Sequence, residues 1–379
     1  MLFDYETLKL IWWLLLGVLL IGFAIMDGHD FGVLSLLPFV GKNDTERRVI
    51  INTVGAHWEG NQVWFIAGGG VIFAAFPLLY ATAFSAFYWA MIAALWTLFL
   101  RPVGFKYRSM IHNDKWRNTW DWILFTASII PAIIFGVAIG NLFLGIPFSF
   151  DAHLVSTYTG SFFGLLSPFA LLCGLVSASM LIMQGGTYLA HRTEGIIQAR
   201  AIKFTLISAI IFVALFALGG IIVSRLNGFV IDSTINPAAM INPSDKMVSV
   251  QVGAWLFNFY KQPLLWLFPI IGGVCAILVV ILLKIKRTLL AFIFSSLSIL
   301  GVIMTAGVAL FPFLLPSSSH PNMSLTTYDS VSSHLTLMVM LYVTVFLLPI
   351  IVSYTAWAYK VMSGKVTDAY IKENQKTLY

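Results

Sequence analysis

The chain has 379 residues, of which 59% are hydrophobic and 10% charged. A soluble domain carries about 25% charged residues, so a water-soluble enzyme or binding module is excluded. The net charge of +6 gives no nucleic-acid footprint, because the basic residues fall in short loops between apolar stretches.

Those stretches run to roughly 20 residues or more, the length of a membrane-spanning helix and twice that of a barrel strand. The expected fold is an all-α polytopic membrane protein. Nine spans are predicted, near residues 8–36, 50–76, 78–100, 119–144, 160–190, 201–226, 255–283, 288–315 and 331–362. The acidic N-terminus, MLFDYETLKL, has no small-residue cleavage site behind it and reads as the start of a retained first helix. Loops on one side hold 18 of the 22 Lys and Arg residues, from Lys42, Arg47 and Arg48 to the tail lysines Lys360, Lys365, Lys372 and Lys376. The other side keeps Lys9, Arg225, Lys246 and Lys261. This asymmetry predicts a periplasmic N-terminus and a cytoplasmic C-terminus. The segment 227–254 is punctuated by Asn, Pro and Ser and reads as an outer loop, followed by a partly amphipathic stretch, VSVQVGAWLFNFYKQP. Cys173 and Cys275 lie in apolar segments and read as packing residues.

IMDGHDFGVL (25–34) can be laid over IMQGGTYLAH (182–191), an offset of 157 residues. The same offset lays spans one to four over spans five to eight. The expected organisation is two pseudo-repeated four-helix bundles, 1–145 and 146–316, with a peripheral ninth helix and cytoplasmic tail in 317–379. Asp27 and Asp30 in the first copy correspond to Gln184 and Thr187 in the second, so the ionisable groups are concentrated in the first half.

Asp27, His29, Asp30, His57 and Glu59 fall where the chain should be inside the bilayer, and ionisable groups are expensive there. In a hairpin turning near Asn43, Asp27, Asp30 and Glu59 come level, about 20–24 Å from the turn. Asp27 and Asp30 share a helix face; His29 and His57 are not expected on it. Arg101 at the inner end of the third span can reach back toward Asp30 or Glu59. Asn61 and Gln62 can hold such a network, and Gly68–Gly70 permit close helix approach. A proton relay or ion site, a structural ion pair and a substrate site all remain open from these residues. No haem-attachment, phosphate-loop or dinucleotide motif is present. His29, His57, His191 and His334 form no expected haem pair, and no metal site is predicted.

Six segments resemble subunit II of cytochrome bd-type ubiquinol oxidases: LLIGFAIMDGHDFGV, GKNDTERRVIINTVGAHWEGNQVWFIAGGG, LRPVGFKYRS, WRNTWDW, FPFLLPSS and YTAWAYKVM. The resemblance runs essentially end to end. It implies a bacterial inner-membrane complex that oxidises quinol, reduces oxygen and takes protons from the cytoplasm. It further implies that haems b and d belong to the partner subunit I, and that this chain is a haem-free scaffold with a proton entrance. A structural ubiquinone, phospholipid and a small single-helix accessory subunit are the other implied partners. Carried over residue by residue, Asp30, Glu59 and Arg101 match positions tied to proton conduction. Asp27, His57 and Trp58 are adjacent, and Asn61 and Gln62 are supporting groups. Two positions depart from the pattern: Glu59 and Lys106 stand where Asp can occur, and a relay through a carboxylate at Lys106 does not carry over. A secondary transporter or a purely structural subunit are the alternatives.

Overall fold

The computed structural model describes residues 3–239, 242–373 and 379; Lys376 of the expected tail lies outside them. The helices are α1 (Tyr5–Val40), α2 (Asp44–Val54), α3 (Trp58–Ala75), α4 (Pro77–Ala86), α5 (Tyr88–Tyr107), α6 (Asp114–Leu144), α7 (Pro168–Arg192), α8 (Gly195–Val223), α9 (Phe257–Lys261), α10 (Leu267–Lys284), α11 (Thr288–Leu310), α12 (His334–Val361) and α13 (Asp368–Glu373). Among the described residues eight helices are long and apolar enough to cross a membrane, and α3 with α4 makes a ninth as a pair bent by 119°.

The predicted second and third spans are divided differently from expectation. Residues 50–76 were expected as one helix, but the chain breaks at Gly55–His57 between α2 and α3. Gly55 is a poor helix former, and α2 is the polar segment that leaves the apolar layer. The second break falls at Phe76, the residue before Pro77, where the helical conformation is disfavoured. Ser332 closes that break by donating to the Ala74 and Ala75 carbonyls. The predicted third span is thus a short α4 followed by α5.

The outer segments are more ordered than loops. Asn227–Ile231 (β3) and Val248–Val252 (β4) form an antiparallel hairpin, so both ends of the segment 227–254, expected as loop, are strands. Phe148–Phe150 (β1) pairs with Ser156–Tyr158 (β2), and Phe313–Leu315 (β5) with Leu325–Thr326 (β6). Below these, Lys246 is buried against Asp329 at 2.7 Å. Burial pushes the Lys246 ammonium below its usual pKa, and Asp329 opposes that shift.

α1 is the central element. It packs against α3, α6, α7 and α11, and every residue from Asp27 to Pro38 is buried. Such burial all round a helix needs neighbours that come very close. Glycines provide this at Gly32 with Gly185 between α1 and α7, Gly136 with Gly174 between α6 and α7, and Gly272 with Gly301 between α10 and α11. The two segments of the predicted internal echo therefore meet in space. Gly68–Gly70 differ: within this chain nothing lies within 4 Å of an added Cβ there.

A side chain on Gly32 would meet the Leu181 carbonyl oxygen at 2.0 Å. Gly32→Val is therefore expected to separate α1 from α7 at a cost of at least about 1–3 kcal/mol. The measurement is the yield and monodispersity of the solubilised complex; wild-type behaviour would contradict this packing.

Candidate functional site

The site lies where the fully buried part of α1 meets α3, α5, α7 and α12. Asp27 and Asp30, three residues apart on α1, face α5. Arg101, fully buried, forks onto Asp27: Nη2 to Oδ1 at 2.7 Å and Nη1 to Oδ2 at 3.2 Å. Its Nη2 is 3.9 Å from Asp30 Oδ2. The guanidinium lies 4.5 Å from the Phe31 ring centre and 5.9 Å from that of Trp58. Trp58 in turn stacks on Phe105. A planar, always-charged guanidinium suits this place better than an ammonium, because it pairs two oxygens at once and lies flat on rings.

The chain break before α3 turns the His57 imidazole inward. His57 Nε2 is 2.7 Å from the Tyr188 hydroxyl on α7. Asn61, one turn into α3, donates to Asp30 Oδ2 at 2.8 Å and lies 3.2 Å from His57 Nδ1. Tyr359 on α12 donates to Asn61 Oδ1 at 2.7 Å. His29 Nε2 is 3.3 Å from Asp30 Oδ1 and buried completely. The arrangement is a continuous set of titratable and hydroxyl groups contributed by five helices, with Asp30 at its centre.

Asp27, Asp30, Arg101, His57, Trp58 and Asn61 are thus brought together as the sequence predicts. Glu59 and Gln62 are not. Glu59 is exposed, and neither makes a hydrogen bond or ion pair among the described residues. The residue count from the turn that put Glu59 level with Asp30 fits the Asn61–Asp30 contact, but it is silent about direction. Arg101 turns to Asp27 and away from Glu59. The histidine expectation is also corrected: His29 and His57 do come together, with ring centres 5.5 Å apart. The break at Gly55–His57 is what frees His57 from its helix face. Tyr188, Phe292 and Tyr359 rings pack around the two imidazoles.

Sequence reasoning missed Tyr188 and Tyr359. Tyr188 lies in the second copy of the internal echo, where it aligns with Phe31, and Tyr359 lies within YTAWAYKVM. It also missed a second ionic network at the basic end of the bundle. Buried Asp121 takes Arg108 at 2.5 Å and Arg47 at 2.8 Å, while Asp44 takes Arg117 at 2.7 Å. Glu46 receives Arg200 at 2.7 Å, and Arg200 also caps the Val40 carbonyl at the end of α1.

The model of the family described as cytochrome bd terminal oxidase subunit II matches residues 8–362. The chain is 50% identical over 377 residues to cytochrome bd-I ubiquinol oxidase subunit 2 of Escherichia coli K12, covering 99% of this chain and 100% of that one. It is 30% identical over 366 residues to cytochrome bd ubiquinol oxidase subunit 2 of Bacillus subtilis, covering 94% and 96%. A chain of the bd oxidase structure from Geobacillus thermodenitrificans shares the fold, with a TM-score of 0.60 at 16% identity over 94% of this chain and 99% of that one.

Asp27→Asn would leave the Arg101 guanidinium buried with only Asp30 beside it. Breaking one side of a buried pair costs about 3–5 kcal/mol. The expected result is a lower melting temperature of the purified complex, larger than that for Glu59→Gln, whose side chain is exposed. Equal, small shifts would show that the Asp27–Arg101 fork carries no such weight.

Proposed function

The chain belongs to the subunit II family of cytochrome bd terminal oxidases, and from that premise we propose that its buried cluster carries protons toward the partner subunit. It is a membrane-embedded subunit of a quinol-oxidising oxidoreductase whose catalysis belongs to subunit I. This removes the transporter alternative. In the proposed reading this chain binds no haem of its own, haems b and d sit in subunit I, and the complex lies in the bacterial inner membrane. The basic ends of the helices face the cytoplasm, and the 1–145 and 146–316 segments are the two halves of a pseudo-repeat with α12 outside them.

One observation carries the proton reading: Asp30 is fully buried and has an oxygen without a hydrogen-bond donor, yet titratable and hydroxyl groups surround it. A carboxylate kept only for structure would have both oxygens paired. In the proposed route Glu59 is the exposed receiving group at the start of α3. Asn61, His57 and Tyr359 stand between it and Asp30. Arg101 and Asp27 hold Asp30 in place and set the field around it. Trp58 fixes Arg101 from the other side.

The competing reading is that the cluster only pins α1 to α5, and the bidentate Arg101–Asp27 fork favours it for Asp27. Asp30 separates the two. Oxygen consumption with a reduced quinol is compared between wild type and Asp30→Asn at matched haem content. A fall of about tenfold or more with unchanged haem spectra is expected if Asp30 relays protons. Normal turnover in an intact complex would leave the cluster structural.

A further inference from the structure

We propose that His29, Asp30 and His57 form a binding site for a divalent ion of the zinc class, with three protein ligands and one open position. His29 Nδ1 lies 3.0 Å from the Ile25 carbonyl oxygen, which can only accept. The His29 proton is therefore on Nδ1, and Nε2 presents a lone pair. That lone pair faces Asp30 Oδ1 at 3.3 Å, and neither atom has a hydrogen-bond partner. The Tyr188 hydroxyl lies 2.7 Å from His57 Nε2 and 3.3 Å from the Thr53 carbonyl oxygen; with its proton on that carbonyl, its oxygen accepts from His57 Nε2 and leaves Nδ1 as the ligand atom. His57 Nδ1, approached by the Asn61 amide at 3.2 Å, is the second imidazole atom and lies 3.9 Å from the same Asp30 oxygen; an ion would take it over from Asn61. Three acceptor atoms thus lie within 4.8 Å of one another in a fully enclosed place. Acceptors converging in this way repel unless a proton or a metal cation lies between them, and three of them around one point suit a metal cation.

The donor set selects the cation. Two neutral imidazoles and one carboxylate suit zinc-class ions, whereas calcium and magnesium take oxygen ligands. With bonds of about 2.0 Å, ligands of a tetrahedral zinc stand about 3.3 Å apart. His29 and Asp30 already have that spacing, and a small rotation of the His57 ring brings in the third ligand. The groups that orient such ligands are also present: the Ile25 carbonyl behind His29, Tyr188 behind His57 and Asn61 on Asp30 Oδ2. Asp27 answers Arg101 with both oxygens, so the charge of Asp30 remains for the ion. Tyr359 Oη, 3.5 Å from His57 Nδ1, stands on the open side.

Binding itself does not depend on the proton reading. Its consequence does: zinc would occupy the lone pairs that a transferred proton uses, and so block turnover. The test uses Zn2+ on the purified intact complex. Equilibrium dialysis is expected to find one saturable zinc per chain in wild type, weakened by tenfold or more in His29→Phe and in Asp30→Asn. The zinc-edge absorption spectrum of the wild type, which needs no variant, is expected to show two imidazoles and a carboxylate oxygen. Equal binding in all three proteins, or a shell without two imidazoles, would mean an adventitious ion only, held by exposed histidines such as His112 and His153. Quinol oxidation is recorded on the same samples. Zinc bound with the expected shell but with turnover unchanged would leave the site standing and remove Asp30 from the proton route.

Discussion

The structure depends on keeping a guanidinium and two carboxylates out of water in the middle of a helix bundle. Arg101 is fully buried, and so is Asp30 beside it; Asp27 is 1% exposed. Desolvating three charges is costly, and their attraction repays it only with good geometry. The fork of Arg101 onto Asp27 is that geometry, and it leaves Asp30 without a bidentate partner of its own. The rest of the cluster is arranged around Asp30: Asn61 donates to one of its oxygens, and the other faces His29 and His57.

Two backbone features make this possible. The first is close packing of α1 on α7 at Gly32 and Gly185, which shuts lipid and water away from the α1 segment that carries the acids. The second is the break at Gly55–His57. A continuous helix through residues 50–76 would keep His57 and Asn61 on adjoining faces fixed by the helix repeat alone. The break places His57 at the start of α3, where it reaches Asp30 on one side and Tyr188 on the other. Packing and interruption serve the same end, since one encloses Asp30 and the other brings it partners.

Much of the fold was legible in the sequence because the bilayer imposes a length on each apolar run, and the helices follow those runs closely. The depth of the acidic residues was legible for the same reason: antiparallel spans share one ruler. What was not legible is rotation and breakage. Glu59 and Asn61 are two residues apart, yet Asn61 bonds Asp30 while Glu59 is exposed. Nothing in a single apolar stretch fixes which of the two points inward, because much of α3 is apolar on every side. His57 depends on a break at Gly55, where a lone glycine is a weaker signal than the Pro77 that marks the break at Phe76. The outer hairpin β3–β4 was hidden by its Asn and Pro content, which describes its tip and not its strands. Tyr188 and Tyr359 reach the site from helices α7 and α12, distant in sequence, and only tertiary contact shows them.

The lone-pair count at Asp30 links these observations. The hydrogen bond to the Ile25 carbonyl places the His29 proton on Nδ1 and leaves Nε2 facing one Asp30 oxygen. His57 Nδ1 lies 3.9 Å from the same oxygen, with the Asn61 amide beside it. Had His29 presented its N–H instead, that Asp30 oxygen would have a donor. A carbonyl of the helix backbone, rather than any ionisable group, therefore decides what faces Asp30. A substitution that shifts α1 at Ile25 would alter this chemistry while every titratable residue stayed in place. That is why a list of acids and histidines, read without their backbone partners, locates the site but does not say what it can take up.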